Sequence, residues 1–82
     1  MKIIIVMPAY NAEKTIEKVF KRIPQKIYDE IIVIDDGSKD KTSEVVKKFD
    51  AKLIRHEKNK GYGGAQKTGF RQALEDGADI VA

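Results

Sequence analysis

Apolar positions in this chain come in unbroken runs separated by stretches of helical periodicity. Ile3-Ile4-Ile5-Val6-Met7 and Ile31-Ile32-Val33-Ile34 are continuous and mostly β-branched. Runs of this kind read as strands buried on both faces, as in a parallel sheet. Pro8 is expected to stop the first strand, because proline cannot donate to a sheet ladder. The second spans about Glu30 to Asp35, and Gly37 follows where a tight turn is needed. Between these strands the period changes to that of a helix. Ile16, Val19, Phe20 and Ile23 form one apolar face, and Glu13, Lys14, Glu17, Lys18, Lys21 and Arg22 cover the other. Acids come early and bases late, as the helix dipole favours. Asn11 is the expected N-cap and Pro24 the stop.

The second half repeats the scheme. Thr42, Val45, Val46 and Phe49 fall at helical spacing behind a cap at Asp40 or Ser38. Lys52-Leu53-Ile54-Arg55-His56 mixes apolar and charged residues, which suits an edge strand. Glu57 to Gly64 is a polar, glycine-rich loop, and a third helix is predicted over about Ala65 to Asp76. In it Ala65, Gly69 and Ala73 make a stripe of small residues that allows close approach to the sheet. Phe70 and Leu74 add bulk beside that stripe, and Gly77 ends the helix. Asp79-Ile80-Val81-Ala82 begins a fourth strand.

The order βαβαβαβ predicts an α/β fold, a three-layer Rossmann-like sandwich with a parallel sheet and right-handed crossovers. The expected strand order is 3-2-1-4, with a switch point between the first and fourth strands. The 82 residues make one domain, expected to be incomplete because the chain stops inside an apolar strand. The open edge of that strand offers pairing with a second copy, a homodimer.

Composition narrows the function classes. With 41% hydrophobic and 35% charged residues the chain is an ordinary globular one. It has no cysteine, which excludes disulfides and thiolate metal sites. The net charge is +3, and the lysines are interleaved with acids. That pattern reads as solvated helix faces and argues against a nucleic-acid partner. No apolar run approaches a membrane span, and the first is too short for a signal sequence.

Three loops are expected at the carboxyl edge of the sheet: Pro8–Glu13, Asp35–Ser38 and Asn59–Lys67. Ligands of open α/β sheets bind at that edge. Tyr10 offers a ring to stack on a base. Asp35 and Asp36 offer acceptors to base N–H groups or ribose hydroxyls, to a metal or to a cation. The glycine-rich helix start, with Lys67 close behind, can approach phosphates. Together they suit a nucleotide. Each also has a plain structural alternative. Tyr10 could pack on a helix, Asp40 could only cap, Gly63 and Gly64 could serve turn geometry, and Lys67 could be solvated. Gly61-x-Gly63-Gly64 matches neither the dinucleotide fingerprint nor the Walker loop. His56 is the only histidine, at a strand end without an evident acid partner, and is not expected to be catalytic. There is no Ser/His/Asp arrangement and no metal-ligand spacing beyond the Asp pair.

Three motifs carry a resemblance to a known family. They are Ile5-Val6-Met7-Pro8-Ala9-Tyr10-Asn11, Val33-Ile34-Asp35-Asp36-Gly37-Ser38-x-Asp40-x-Thr42 and Asn59-x-Gly61-Tyr62-Gly63-Gly64-Ala65. In this order and spacing they closely resemble the N-terminal part of the family-2 glycosyltransferases, most of all the polyprenyl- or dolichyl-phosphate sugar synthase branch. The resemblance covers the whole chain and implies a truncated GT-A fold. It implies a parent enzyme that transfers a sugar, with inversion, from a UDP- or GDP-sugar to a polyprenyl phosphate or glycan acceptor. It places the parent in the cytoplasm or on the cytoplasmic face of a membrane. Carried over by position, Pro8, Ala9 and Tyr10 line the base site, and Asp35 and Asp36 bind the base or ribose. Ser38, Asn59, Gly61, Gly64 and Lys67 lie along the nucleotide. Many polyprenyl-phosphate members have a Glu directly after the Asn of the first motif. Here that position is Ala12, with Glu13 one further on as the candidate contact.

The family's Asp-x-Asp motif, which binds Mg²⁺ or Mn²⁺, follows the fourth strand, as do the acceptor region and the catalytic base. The resemblance therefore implies no catalytic residue and no metal ligand within these residues, and a fragment inactive by itself. Two other classes lack their signatures in this chain. A receiver-like binding module carries its acidic pair after the first strand, where this chain has Pro8. A sugar-nucleotide nucleotidyltransferase wants a glycine-rich, arginine-bearing loop where this chain has Pro8-Ala9-Tyr10-Asn11.

Overall fold

The computed structural model describes residues 1–82. Its centre is β2 (Glu30–Asp35), in which every residue from Ile31 onward is buried. β1 (Ile3–Ala9), β3 (Lys52–Arg55) and β4 (Ile80–Val81) complete a parallel sheet of order β3-β2-β1-β4. The run in β2 is continuous because both faces are covered. Ile32 and Ile34 pack with Ile4, Ala65 and Ala73 under α3 (Gly61–Glu75). Ile31 and Val33 pack with Ala9, Ile16 and Val46 under α1 (Ile16–Arg22) and α2 (Thr42–Val46). Successive strand residues point to opposite faces, so one apolar strand serves two cores. This is the three-layer sandwich and strand order that the sequence predicts.

Three local expectations are corrected. First, β1 does not stop at Pro8 but continues to Ala9. The amide of Val6 donates towards β4, to Ala82 O, whereas the carbonyl of Ala9 accepts from Asp36 on the β2 side. Positions 4, 6 and 8 therefore face away from β2, so the missing N–H of Pro8 leaves the β1–β2 ladder intact as far as Ala9. Second, Asn11 does not cap α1. Its φ is +50°, its amide donates to Ser38 Oγ (2.8 Å), and its Oδ1 accepts from the Lys39 amide (2.9 Å). The helix starts later, after Thr15, with Ile16, Phe20 and Ile23 inward and Val19 largely exposed. Third, α3 begins at Gly61 rather than Ala65, so the glycine-rich stretch is the helix's first turn. Phe70 and Leu74, beside the small-residue stripe of α3, are half-exposed. The small-residue stripe of Ala65, Gly69 and Ala73 is buried against the sheet as expected.

Candidate functional site

The carboxyl ends of β1 and β2 and the first turn of α3 enclose a cavity of about 250 Å³. Pro8, Ala9, Tyr10, Asp36, Asn59, Gly61, Tyr62 and Ala65 line it. The rings of Tyr10 and Tyr62 are both exposed. Gly37 makes this closeness achievable. Its φ is +75°, and a β-carbon on it would lie 2.9 Å from the Asn59 amide nitrogen. The Lys58–Asn59 backbone thus rests directly on the end of β2. Asn59 then bridges the two: its Nδ2 donates to Asp36 O (3.2 Å) and its Oδ1 accepts from the Gly61 amide (3.0 Å).

The two adjacent carboxylates have different fates. Asp35 points away from the cavity and is fully committed. Its Oδ1 accepts from the Ser38 amide (2.9 Å), and its Oδ2 accepts from the Ser43 hydroxyl and from Arg55 Nη1 (2.8 Å). Burial pushes its carboxyl up, but the hydrogen bonds from Ser38 and Ser43 and the Arg55 charge together hold it below the usual carboxylate range. Asp36 lines the cavity. Its Oδ1 faces His56 Nδ1 at 2.8 Å and accepts from the Lys60 amide at 2.9 Å. Burial again pushes its carboxyl up, and the hydrogen bonds from His56 and the Lys60 amide, with the Gly61 amide close by, outweigh it, so this pKa too is lowered. The bonds to His56 and Lys60 both fall on Oδ1, which leaves Oδ2 as the oxygen that receives neither.

The other predicted residues divide in the same way. Ser38 is buried, its hydroxyl accepting from Asn11. The Glu13 amide donates to Asp40 Oδ2 (3.2 Å), so Asp40 ties the β1–α1 loop as well as holding the Thr42 amide (3.0 Å) at the start of α2. Gly64 lies outside the cavity, against Lys60, where a β-carbon would come within 2.8 Å of the Lys60 Cβ. Lys67 lines a second, larger groove of about 750 Å³ between α3 and the β1/β4 edge, with Arg71, Phe70 and Leu74. Pro8 and Tyr62 border both spaces. Ser38, Glu13, Gly64 and Asp35 therefore stand behind the cavity, and Lys67 beyond it.

Two residues of the site were missed in the sequence. Tyr62 sits inside a motif read for its glycines alone. His56 does have an acid partner, contrary to expectation. Asp35 pairs with Arg55 across β2 and β3, so the next residues, Asp36 and His56, also stand side by side. The strand order predicted from the sequence contained that adjacency.

No group of three or more His, Asp or Glu side chains is placed to hold a metal ion. The Asp pair does not supply one: Asp35 is saturated and Asp36 shares Oδ1 with His56. The family resemblance sets the divalent cation's Asp-x-Asp motif after the fourth strand, not among these residues.

The model of glycosyl transferase family 2 matches residues 4–82. The chain belongs to that family. The chain is 40% identical to a Methanococcus voltae UDP-N-acetylglucosamine–dolichyl-phosphate N-acetylglucosaminyltransferase, over 96% of the chain and 38% of that relative. Among solved structures, glucosyl-3-phosphoglycerate synthase from Mycobacterium tuberculosis, in complex with Mn²⁺, UDP and phosphoglyceric acid, is 32% identical with a TM-score of 0.77. The match covers 98% of the chain and 31% of that structure. S. aureus TarS (residues 1–349) in complex with UDP gives a TM-score of 0.77 at 28% identity, over 99% of the chain and 26% of that structure. The family-2 chain thus has the GT-A fold of glycosyltransferases, and it spans about a third of the length of the curated relatives it matches. None of its helices is long and apolar enough to cross a membrane.

Proposed function

We propose that residues 1–82 form the donor-nucleotide-binding half of an inverting glycosyltransferase that moves a sugar from a UDP-sugar to a polyprenyl phosphate. The observation that carries this reading is the cavity itself. It combines two exposed aromatic rings, Tyr10 in the loop after β1 and Tyr62 in α3, a carboxylate held in one orientation, and a helix start of glycines and amides. In this reading Tyr10 or Tyr62 stacks on the base, and Pro8 and Ala9 form the wall behind it. Asp36 Oδ2 accepts from the base N–H or a ribose hydroxyl, beside Asn59 and Gly61. Asp35, Ser38, Glu13 and Gly64 hold the surrounding backbone, and Lys67 lies on the diphosphate side. UDP is favoured over GDP because the two solved structures described above hold UDP and the M. voltae relative is named for a UDP-sugar. That relative's name also favours a dolichyl-type phosphate acceptor over a glycan.

A phosphate acceptor is already anionic, so the transfer needs no general base. A divalent cation, Mg²⁺ or Mn²⁺, bound in the whole enzyme would neutralise the leaving diphosphate. These 82 residues offer no cluster for it. We take them to bind the donor without transferring the sugar. A lipid-phosphate acceptor places the whole enzyme at the cytoplasmic face of a membrane.

The test is an amide-resolved NMR titration of the chain with UDP and with GDP, each with and without Mg²⁺. Shifts confined to Ala9, Tyr10, Asp36, Asn59–Tyr62 and their neighbours, larger for UDP, are expected. A well-dispersed spectrum that neither nucleotide moves would overturn the reading. Sugar transfer by this chain alone would overturn the statement that it only binds.

A further inference from the structure

His56 is the one buried titratable group that the nucleotide reading leaves without a task. It is only 7% exposed, and both ring nitrogens are engaged. Nδ1 lies 2.8 Å from Asp36 Oδ1, and Nε2 lies 2.8 Å from Thr68 Oγ1. That hydroxyl is in turn 3.1 Å from the carbonyl oxygen of Gly64, one turn earlier in α3. The chain of bonds joins the ends of β2 and β3 to the first turn of α3, all at the cavity rim.

The chemistry fixes the direction of the first bond. An ionised carboxylate can only accept, so Nδ1 must carry the proton that faces Asp36. Nε2 then has two options. Unprotonated, it accepts from the Thr68 hydroxyl. Protonated, it donates to Thr68, whose hydroxyl turns to the Gly64 carbonyl. In either state the Nδ1–H bond to Asp36 stays in place. A carboxylate torsion is otherwise broad and nearly two-fold. With His56 and the Lys60 amide both on Oδ1, one orientation remains, and Oδ2 is the oxygen left to receive a ligand donor.

We propose that His56 is a positioning residue for donor binding: it pins Asp36 through Nδ1–H, and Thr68 completes the ring's bonding so that this nitrogen keeps its proton. The inference rests on the nucleotide reading of the cavity. A preorganised acceptor binds more tightly than one that must be ordered on binding.

The test is a double-mutant cycle on UDP affinity, read by the same amide titration. His56→Ala is expected to weaken UDP about tenfold, the loss of roughly one charge-assisted hydrogen bond. His56→Asn, whose amide N–H can donate from near the Nδ1 position, is expected to recover most of it. In an Asp36→Asn background, His56→Ala is expected to cost less than about twofold, because the acceptor it orients is gone. A purely structural histidine would cost the same in both backgrounds, and that result overturns the inference while leaving the nucleotide reading intact. Absence of any nucleotide shift in the folded wild-type chain overturns the nucleotide reading and this inference with it. Should His56→Ala fail to fold, the ¹⁵N spectrum of the wild-type imidazole decides. A protonated Nδ1 is expected, and a neutral ring with its proton on Nε2 alone overturns the proposal.

Discussion

Gly69 on α3 and Val6 on β1 leave no room between them for a methyl group. A β-carbon on Gly69 would lie 2.2 Å from Val6 Cγ1 and 3.2 Å from Ile34 Cγ1. Gly69→Ala should gain about 1 kcal/mol of helix propensity. It should lose more, since overpacking a core typically costs about 1–3 kcal/mol. The net expectation is a lower melting temperature, at about 4–8 °C per kcal/mol for a domain of this size. Adding Val6→Ala should recover part of the loss. A variant that melts at or above wild type would show that α3 can lift from the sheet without penalty.

Asp35 and Asp36 are neighbours in sequence with opposite roles. Asp35→Ala strips the partner from Arg55, Ser43 and the Ser38 amide. It should destabilise the fold by about 2 kcal/mol, as expected when buried hydrogen-bonding groups lose their partner. Asp36→Asn keeps the shape at the cavity and removes its charge. It should cost less stability than Asp35→Ala, since its amide oxygen can still accept from His56 and Lys60, and lower UDP affinity by about tenfold or more. Urea unfolding and nucleotide titration of both variants separate the two. If Asp35→Ala unfolds like wild type and only loses affinity, the assignment of roles is reversed.

The sequence made the architecture legible because β1 and β2 are apolar on both faces, which only a covered parallel sheet can accommodate. It made the location of the site legible because Asp36, Tyr10 and the glycines all sit where strands end. What it hid were facts of register. Pro8 looks like a stop until one knows that its missing donor faces away from β2, with which β1 pairs as far as Ala9. Asn11 looks like a cap, but its side chain serves the Lys39 amide across the sheet edge. His56 looks solitary because its partner is 20 residues away, and only the β2–β3 pairing brings them together.

The chain should lose stability as pH falls through the acid range. Asp35, Asp36 and Asp40 all titrate below the usual carboxylate range when folded. For Asp35 and Asp36, hydrogen bonds overcome burial; for Asp40 the first cause is the Thr42 side chain. Asp76 is lowered as well, first by Lys52 and then by Gln72. Each such group binds fewer protons folded than unfolded near the ordinary carboxylate value, so stability rises with pH there. Their contribution is complete above about pH 5 and is lost as pH falls through the lowered folded values. Urea midpoints at pH 6, 4 and 3 should decline in that order. A midpoint that holds or rises down to pH 3 would contradict the sign.

Glu30 should act in the other direction. It sits at the amino end of β2, 3.8 Å from Lys2 Nζ. Burial raises its pKa first, then the charge of Asp76 and a hydrogen bond shared with that carboxyl. A raised acid holds its proton longer when folded, so its stabilisation is present at low pH and lost as pH rises through the folded value. Glu30→Gln keeps an N–H for Asp76 and brings no charge. Lys2 loses only a long, partly exposed ion pair, which is worth little. The variant should therefore melt at or above wild type at pH 7, with a smaller gain or none at pH 4. Thermal unfolding at the two pH values checks it. A variant that is less stable at pH 7 and equal at pH 4 would show that the ionised carboxylate, paired with Lys2 and Lys52, is the form that the fold prefers.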